Sequence, residues 1–143
     1  MNLETRKPGE ELGHRALTEQ IIGTAMRVHD EPGPGFLESI YEEALAVELR
    51  FRGLTFERQR AVPLFYRNYP IGEHRLDLLV EAKVVVELKA VSTLENIHFA
   101  IVRSYLKALG LKDGLLINFS STRLLIKRVG REYHPHTEEK ITL

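Results

Sequence analysis

Apolar and polar positions along the 143-residue chain alternate between a helical and a strand-like period. From about Thr18 to His29, Ile21, Ile22, Ala25, Met26 and Val28 recur at helical spacing, with Thr18 placed as the N-cap. Glu31-Pro32-Gly33-Pro34-Gly35 ends that helix. A second helix is predicted from about Phe36 to Arg52, closed by Gly53 at the C′ position. Its apolar stripe is Leu37, Ile40, Tyr41, Ala44, Leu45 and Leu49, leaving Glu42, Glu43 and Glu48 as a solvated face. Phe56 to Tyr66 alternates as a strand, and Asn68-Tyr69-Pro70 with Gly72 supplies a turn into the next one. His74–Val80 and Val84–Lys89 read as two apolar strands joined by a tight turn. A third helix follows from about Leu94 to Leu109, ended by Gly110, with Leu94, Ile97, Ile101, Tyr105 and Leu109 inward. Leu115–Phe119 and Leu124–Arg128 complete the strands. The order α-α-β-β-β-α-β-β predicts an α/β sandwich on a mixed sheet. Residues 1–14 are expected to be a polar lead-in, 15–130 a single domain and 131–143 a polar tail, with no internal repeat.

Three charges interrupt the two most apolar strands. Strands buried on both faces are usually continuous Val, Leu and Ile runs, and Asp, Glu and Lys are rarely buried unpaired. Asp77, Glu87 and Lys89 therefore need a reason to be there. A three-residue loop over Glu81, Ala82 and Lys83 would pair Val80 with Val84, and counting outward sets Asp77 opposite Glu87 on one face. Directly opposed Cβ atoms are roughly 4.5–5.5 Å apart, close enough for two carboxylates to repel. A divalent cation removes that penalty, and Lys89 adds positive charge on the same face. Two alternatives stay open at this point. A two-residue turn would send the carboxylates to opposite faces, and two edge carboxylates facing water would need no metal.

Composition narrows the classes. With no cysteine, disulfides, thiolate nucleophiles and cysteine zinc sites are excluded. No apolar run approaches the roughly 20 residues of a membrane span and no signal-peptide core is visible, so a cytoplasmic protein is expected. Twenty basic residues balance 20 acidic ones, so any nucleic-acid binding must rest on a local patch. Arg58, Arg60, Arg67 and Arg75 are a candidate basic rim, or ordinary surface arginines. The six histidines lack zinc spacing: His134 and His136 read as surface, while His98 is placed near the site by its helix. Asn118, at a strand end, either faces the site or caps a turn. No phosphate-binding glycine loop is present, which argues against a nucleotide-dependent enzyme.

An Asp in one strand, Glu-Leu-Lys in the next and a glutamate on a preceding helix resemble the PD-(D/E)XK nuclease superfamily. Gly35-Phe-Leu-Glu38-Ser-Ile-Tyr41 is similar to the signature of its bacterial GxxExxY branch. The likeness runs from about Leu17 to Val129 and includes Arg75-Leu-Asp77-Leu-Leu-Val, Val86-Glu87-Leu-Lys89-Ala-Val, Tyr105-Leu-Lys and Gly114-Leu-Leu-Ile-Asn118-Phe119. The resemblance implies a restriction-endonuclease-like three-layer core that hydrolyses phosphodiester bonds with Mg²⁺, or with Mn²⁺ in its place. Asp77, Glu87 and the Leu88 carbonyl would coordinate the ion. Lys89 would orient the attacking water, and Glu38 would reach the metal directly or through water. Alone, Glu38 has a simpler explanation, since a carboxylate in the first turn suits the helix dipole. Tyr41, Arg75, His98 and Tyr105 are the weaker candidates for nucleic-acid contact. One departure stands out: the family commonly carries a glutamine four residues before the third-helix tyrosine, and Ile101 occupies that position.

Two functions of different class follow. One is a metal-dependent nuclease, on DNA more than RNA, in repair or defence, working as a homodimer or in a larger assembly. The other is a nuclease-like fold kept as a non-catalytic binding module, which neutral net charge, small size and Ile101 favour. The complete set of Glu38, Asp77, Glu87 and Lys89 favours the first.

Overall fold

A computed structural model describes residues 14–132 and 140–142. The elements are α1 (Arg15–Asp30), α2 (Glu38–Phe51), β1 (Phe56–Tyr66), β2 (Tyr69–Val80), β3 (Val84–Lys89), α3 (Asn96–Leu109), β4 (Asp113–Asn118), β5 (Leu125–Gly130) and β6 (Lys140–Thr142). The strands form one sheet in chain order, antiparallel throughout except for the parallel pair β3–β4. A parallel pair needs a crossover, and α3 is that crossover. The α/β class, mixed sheet and element order agree with expectation, and β6 extends the sheet beyond it.

Helices cover both faces. Ile21, Ala25, Tyr41, Leu45 and Leu49 of α1 and α2 pack on Leu78, Val80, Val86, Leu88, Ile117 and Phe119. Val102, Tyr105 and Leu106 of α3 pack on Leu79, Val85, Leu116 and Val129 from the other side. β3 and β4 lie between these cores, which is why they read as near-continuous apolar runs.

Several local expectations shift. α1 begins at Arg15, so Thr18 sits one turn inside, its hydroxyl donating to the Arg15 carbonyl at 3.0 Å. α2 is rotated relative to its predicted stripe: Leu37 and Ile40 are 74% and 47% exposed, while Glu42 is buried. On α3, Ile97 faces water and Val102 and Leu106 face the core. The first hairpin turns at Arg67 and Asn68, both left-handed (φ 48 and 67), so Tyr69, Pro70 and Gly72 belong to β2. Two left-handed residues match the twist of a two-residue hairpin, which the Tyr69-Pro70 signal obscured. Within the predicted tail, Lys140–Thr142 pairs antiparallel with β5, whereas residues 1–13, 133–139 and 143, with His134 and His136 among them, lie outside the described residues.

Gly114 marks the tightest helix–sheet approach, because a Cβ there would lie 2.7 Å from Val102 Cγ1. Gly114→Ala is expected to destabilise the fold by about 1–3 kcal/mol through overpacking. Urea denaturation measures this directly, and an unchanged midpoint would show that α3 yields without cost.

Candidate functional site

The β2–β3 loop sets the register on which the site depends. Glu81 and Ala82 are left-handed (φ 55 and 54), and the Lys83 N–H donates to the Val80 carbonyl at 3.0 Å. The Glu81 carboxylate accepts both the N–H and the hydroxyl of Thr55 at 2.6 Å, which lowers its pKa and fixes the loop to the end of α2's connection. The result is the three-residue turn, with Val80 opposite Val84, Leu79 opposite Val85 and Leu78 opposite Val86. Asp77 and Glu87 come next in this register, and there the backbone ladder stops. In its place the Asp77 N–H donates to Glu87 Oε1 at 2.9 Å and the Leu88 N–H donates to Asp77 Oδ2 at 2.8 Å. Each carboxylate thus binds the other strand's backbone as the strands part.

The cost is electrostatic. Glu87 is 6% exposed, and burial together with the Asp77 charge pushes its carboxyl up to about 8, against the pull of the Asp77 N–H and Lys89. Asp77 is also raised, first by burial, while the Leu88 N–H and the Gln59 amide oppose the shift. Glu38, the first residue of α2, faces the Ala90 N–H through Oε2 at 3.3 Å, and its charge raises both carboxyls further. Lys89 is half-buried on the strand that carries Glu87. Burial and the same two acids push the Tyr105 hydroxyl upward, and that hydroxyl donates to the Arg75 carbonyl at 3.1 Å.

Sequence reasoning missed the polar support behind Asp77. Arg58 pairs with Leu78 and Arg60 with Leu76, which leaves Gln59 opposite Asp77 in a left-handed conformation (φ 53). Its amide donates to Glu42 Oε1 at 2.6 Å and to Asp77 Oδ1 at 3.2 Å, while Arg75 holds its carbonyl at 3.0 Å. Arg58 grips Glu42 Oε2 through Nε and Nη2 at 3.0 and 2.9 Å, and Glu43 at 2.7 Å. A left-handed glutamine inside a strand is backbone strain held in place by neighbours. Alternation slips here too, since Leu78 packs under α1 and α2 but Leu76 packs in the α3 core. The available signal was Glu42 one helical turn after Glu38, on the same face.

Other candidates have different placements. Tyr41 has no exposed surface: its hydroxyl donates to the Gly33 carbonyl at 2.5 Å and accepts the Phe36 N–H at 3.2 Å, and its ring stacks on Phe119 at 4.4 Å. Tyr105 is 2% exposed. Neither ring is open to a nucleic acid, which corrects that expectation for both. His98 Nδ1 accepts the Glu95 N–H at 2.9 Å in a capping box, so this nitrogen serves α3. Asn118 ties the loops, bonding Val91 N–H and carbonyl and the Ser120 N–H, so the turn-capping alternative holds. Arg75 is exposed beside the site, and Ile101 packs into the α3 core. The donor set at the parting strands is two carboxylates and the backbone around Leu88. Among the described residues no three His, Asp or Glu side chains converge on one point. A cleft between α1 and α2, lined by Val28, Ala44, Val47 and Phe51, contains none of these groups.

Among known families, a model described as the PD-(D/E)XK nuclease superfamily matches residues 15–129. Neither curated proteins nor solved structures yield a match.

The raised Glu87 carboxyl dictates a pH dependence. A folded-state pKa above the unfolded 4.5 means that folding takes up a proton, so this contribution is full below about 4.5 and is lost as pH rises through about 8. In chelator, wild type is expected to lose stability over that window relative to Glu87→Gln, which keeps the hydrogen bond without the charge. Thermal denaturation of both proteins from pH 4.5 to 8 tests this, and parallel profiles would refute the assignment.

Proposed function

Because the chain belongs to the PD-(D/E)XK nuclease superfamily, we propose that it is a divalent-metal-dependent nuclease of the GxxExxY branch, acting on DNA more than RNA in repair or defence. The observation that carries the reading is the pair Asp77 and Glu87, both pushed upward first by burial, Glu87 then by the Asp77 charge and Asp77 by the charges of Glu42 and Glu38. Nucleases of this superfamily typically use divalent metals, and the donor set here fits one. Hard oxygens from two carboxylates, with waters completing the shell, are what Mg²⁺ prefers, and Mn²⁺ takes similar ligands. Both Asp77 oxygens already accept hydrogen bonds, yet a carboxylate retains further lone pairs for a cation.

In this reading Asp77, Glu87 and the Leu88 carbonyl would hold the ion, and Glu38 would reach it directly or through water. When bound, a divalent ion would lower the pKa of a coordinated water and offset negative charge on the phosphate. Lys89 orients that water and offsets phosphate charge. Gln59 fixes which way Asp77 faces by bonding Oδ1 on one side while Leu88 bonds Oδ2 on the other. Glu42, neutralised by Arg58, anchors Gln59 in turn. The exposed Arg75 lies next to this group, where it meets substrate phosphate. Among the described residues no helix is long and apolar enough to cross a membrane. A cytoplasmic location and a homodimer or larger assembly complete the proposal.

A second reading, a nuclease-like module without catalysis, draws on Ile101, whose side chain cannot make the bonds of a glutamine. Calorimetry separates the two. Wild type is expected to bind Mg²⁺ or Mn²⁺, and Asp77→Ala and Glu87→Ala to abolish it. Lys89→Met is expected to keep the metal but cut phosphodiester hydrolysis by about 10²–10⁴-fold, the usual range for losing a proton-transfer group. Metal binding without cleavage of any single-stranded, duplex or branched DNA or RNA would favour the binding module. No binding at millimolar metal with oligonucleotide present would sink the nuclease reading.

A further inference from the structure

The hairpin of β1 and β2 outgrows the sheet. β3 pairs only with Leu78–Val80, whereas β1 continues with β2 from Arg60 opposite Leu76 to Tyr66 opposite Tyr69. Residues 60–76 therefore stand beyond the β3 edge as a two-stranded ribbon. Only Val62 and Leu76 along it are buried. At its tip Phe65, Tyr66, Tyr69 and Ile71 are 60%, 65%, 74% and 64% exposed. Ribbons with little to pack against are marginal in water, and clustered bare apolar groups mark interaction sites.

We propose that this ribbon binds the single-stranded segment of a nucleic-acid substrate, with Tyr66 and Tyr69 stacking on unpaired bases and Arg60, Arg67 and Arg75 facing phosphates. The proposal rests on the nuclease reading and names the substrate form that reading leaves open. Three observations support this occupant. Tyr69 and Asp77 lie on one strand, eight residues apart, which is a reach of about 26 Å at the rise of an extended chain. The chain as a whole is neutral, but from Arg60 to Arg75 it carries three arginines against Glu73. The pairs that Arg60 makes with Glu57 at 3.0 Å and Arg75 with Glu73 at 3.9 Å are exposed ones that hold little energy against a phosphate. Aromatic faces interleaved with arginine are the means by which unpaired bases are held, because every base has a π-face. The edge itself is unsuited to strand addition by a second copy. β1 is the outermost strand, Pro63 removes a donor from it, and left-handed Gln59 interrupts it near the base.

The test is fluorescence anisotropy with a labelled oligothymidylate and a duplex of equal length, in chelator so that nothing is cleaved. Wild type is expected to bind the single strand more tightly than the duplex. Tyr66→Ser with Tyr69→Ser is expected to weaken single-strand binding by about tenfold or more, and Tyr66→Phe with Tyr69→Phe to restore it, since stacking needs the ring and not the hydroxyl. Circular dichroism and metal calorimetry on the same variants report the fold and the acidic site. Unchanged oligonucleotide binding in the serine variant overturns the ribbon proposal while leaving the nuclease reading intact. Absence of nucleic-acid binding in wild type that still binds metal overturns it as well. A wild-type dimer that dissociates in the serine variant, measured by light scattering, would assign the tip to self-association instead.

Discussion

Two backbone N–H groups lose their ladder partners where β2 and β3 part, and two carboxylates in the same place would be unstable on their own. The Asp77 N–H on Glu87 and the Leu88 N–H on Asp77 solve both problems together. A buried donor without a partner costs roughly 1–3 kcal/mol, and a charge-assisted bond is stronger than a neutral one. What the exchange leaves behind is negative charge in a half-buried place. Everything nearby answers that excess: Gln59 and Leu88 donate to Asp77, Lys89 draws on Glu87, and Arg58 neutralises Glu42 behind them.

The helical glutamate reaches this place through a separate device. Gly33 and Gly35 are left-handed (φ 73 and 103), which lets the chain double back between α1 and α2. Tyr41 then pins that loop from inside, bonding Gly33 and Phe36 and stacking on Phe119 at the end of β4. Glu38, three residues before it, emerges at the start of α2 with the helix dipole behind it and the Ala90 N–H in front. Glycine, glutamate and tyrosine in that spacing thus divide into a turn, a charge and a bolt.

Most of the architecture was legible because its signals are local. Apolar runs gave β3 and β4, glycines ended α2 and α3, and the three-residue loop correctly set Val80 against Val84, which brings the Asp77 N–H within hydrogen-bond reach of Glu87. Stripe assignments failed where a polar residue is buried for a partner far along the chain. Glu42 looks solvated until Arg58 and Gln59, some 16 residues later, are folded against it. Gln59 gave no sign at all, since nothing about a glutamine in an alternating strand announces a left-handed backbone. Tyr41 and Tyr105 sit on the inward stripes that helical spacing gave them, and that burial is what rules out the nucleic-acid contact the family resemblance suggested for both.

The ladder of β1 and β2 slips by one between Leu64 and Phe65, with Gly72 paired below the slip and Pro70 above it, so Ile71 is an extra residue bulged out of β2. Below the bulge, the pairing from Leu64–Gly72 down to Phe56–Val80 keeps a constant register through Asp77. A gain or loss of residues in the tip is therefore absorbed at the bulge, and no side chain below it changes face. The ribbon's end is free to diversify by insertion and deletion while the acidic pair keeps its alignment. The shape of the tip is thereby uncoupled from the alignment of Asp77 and Glu87.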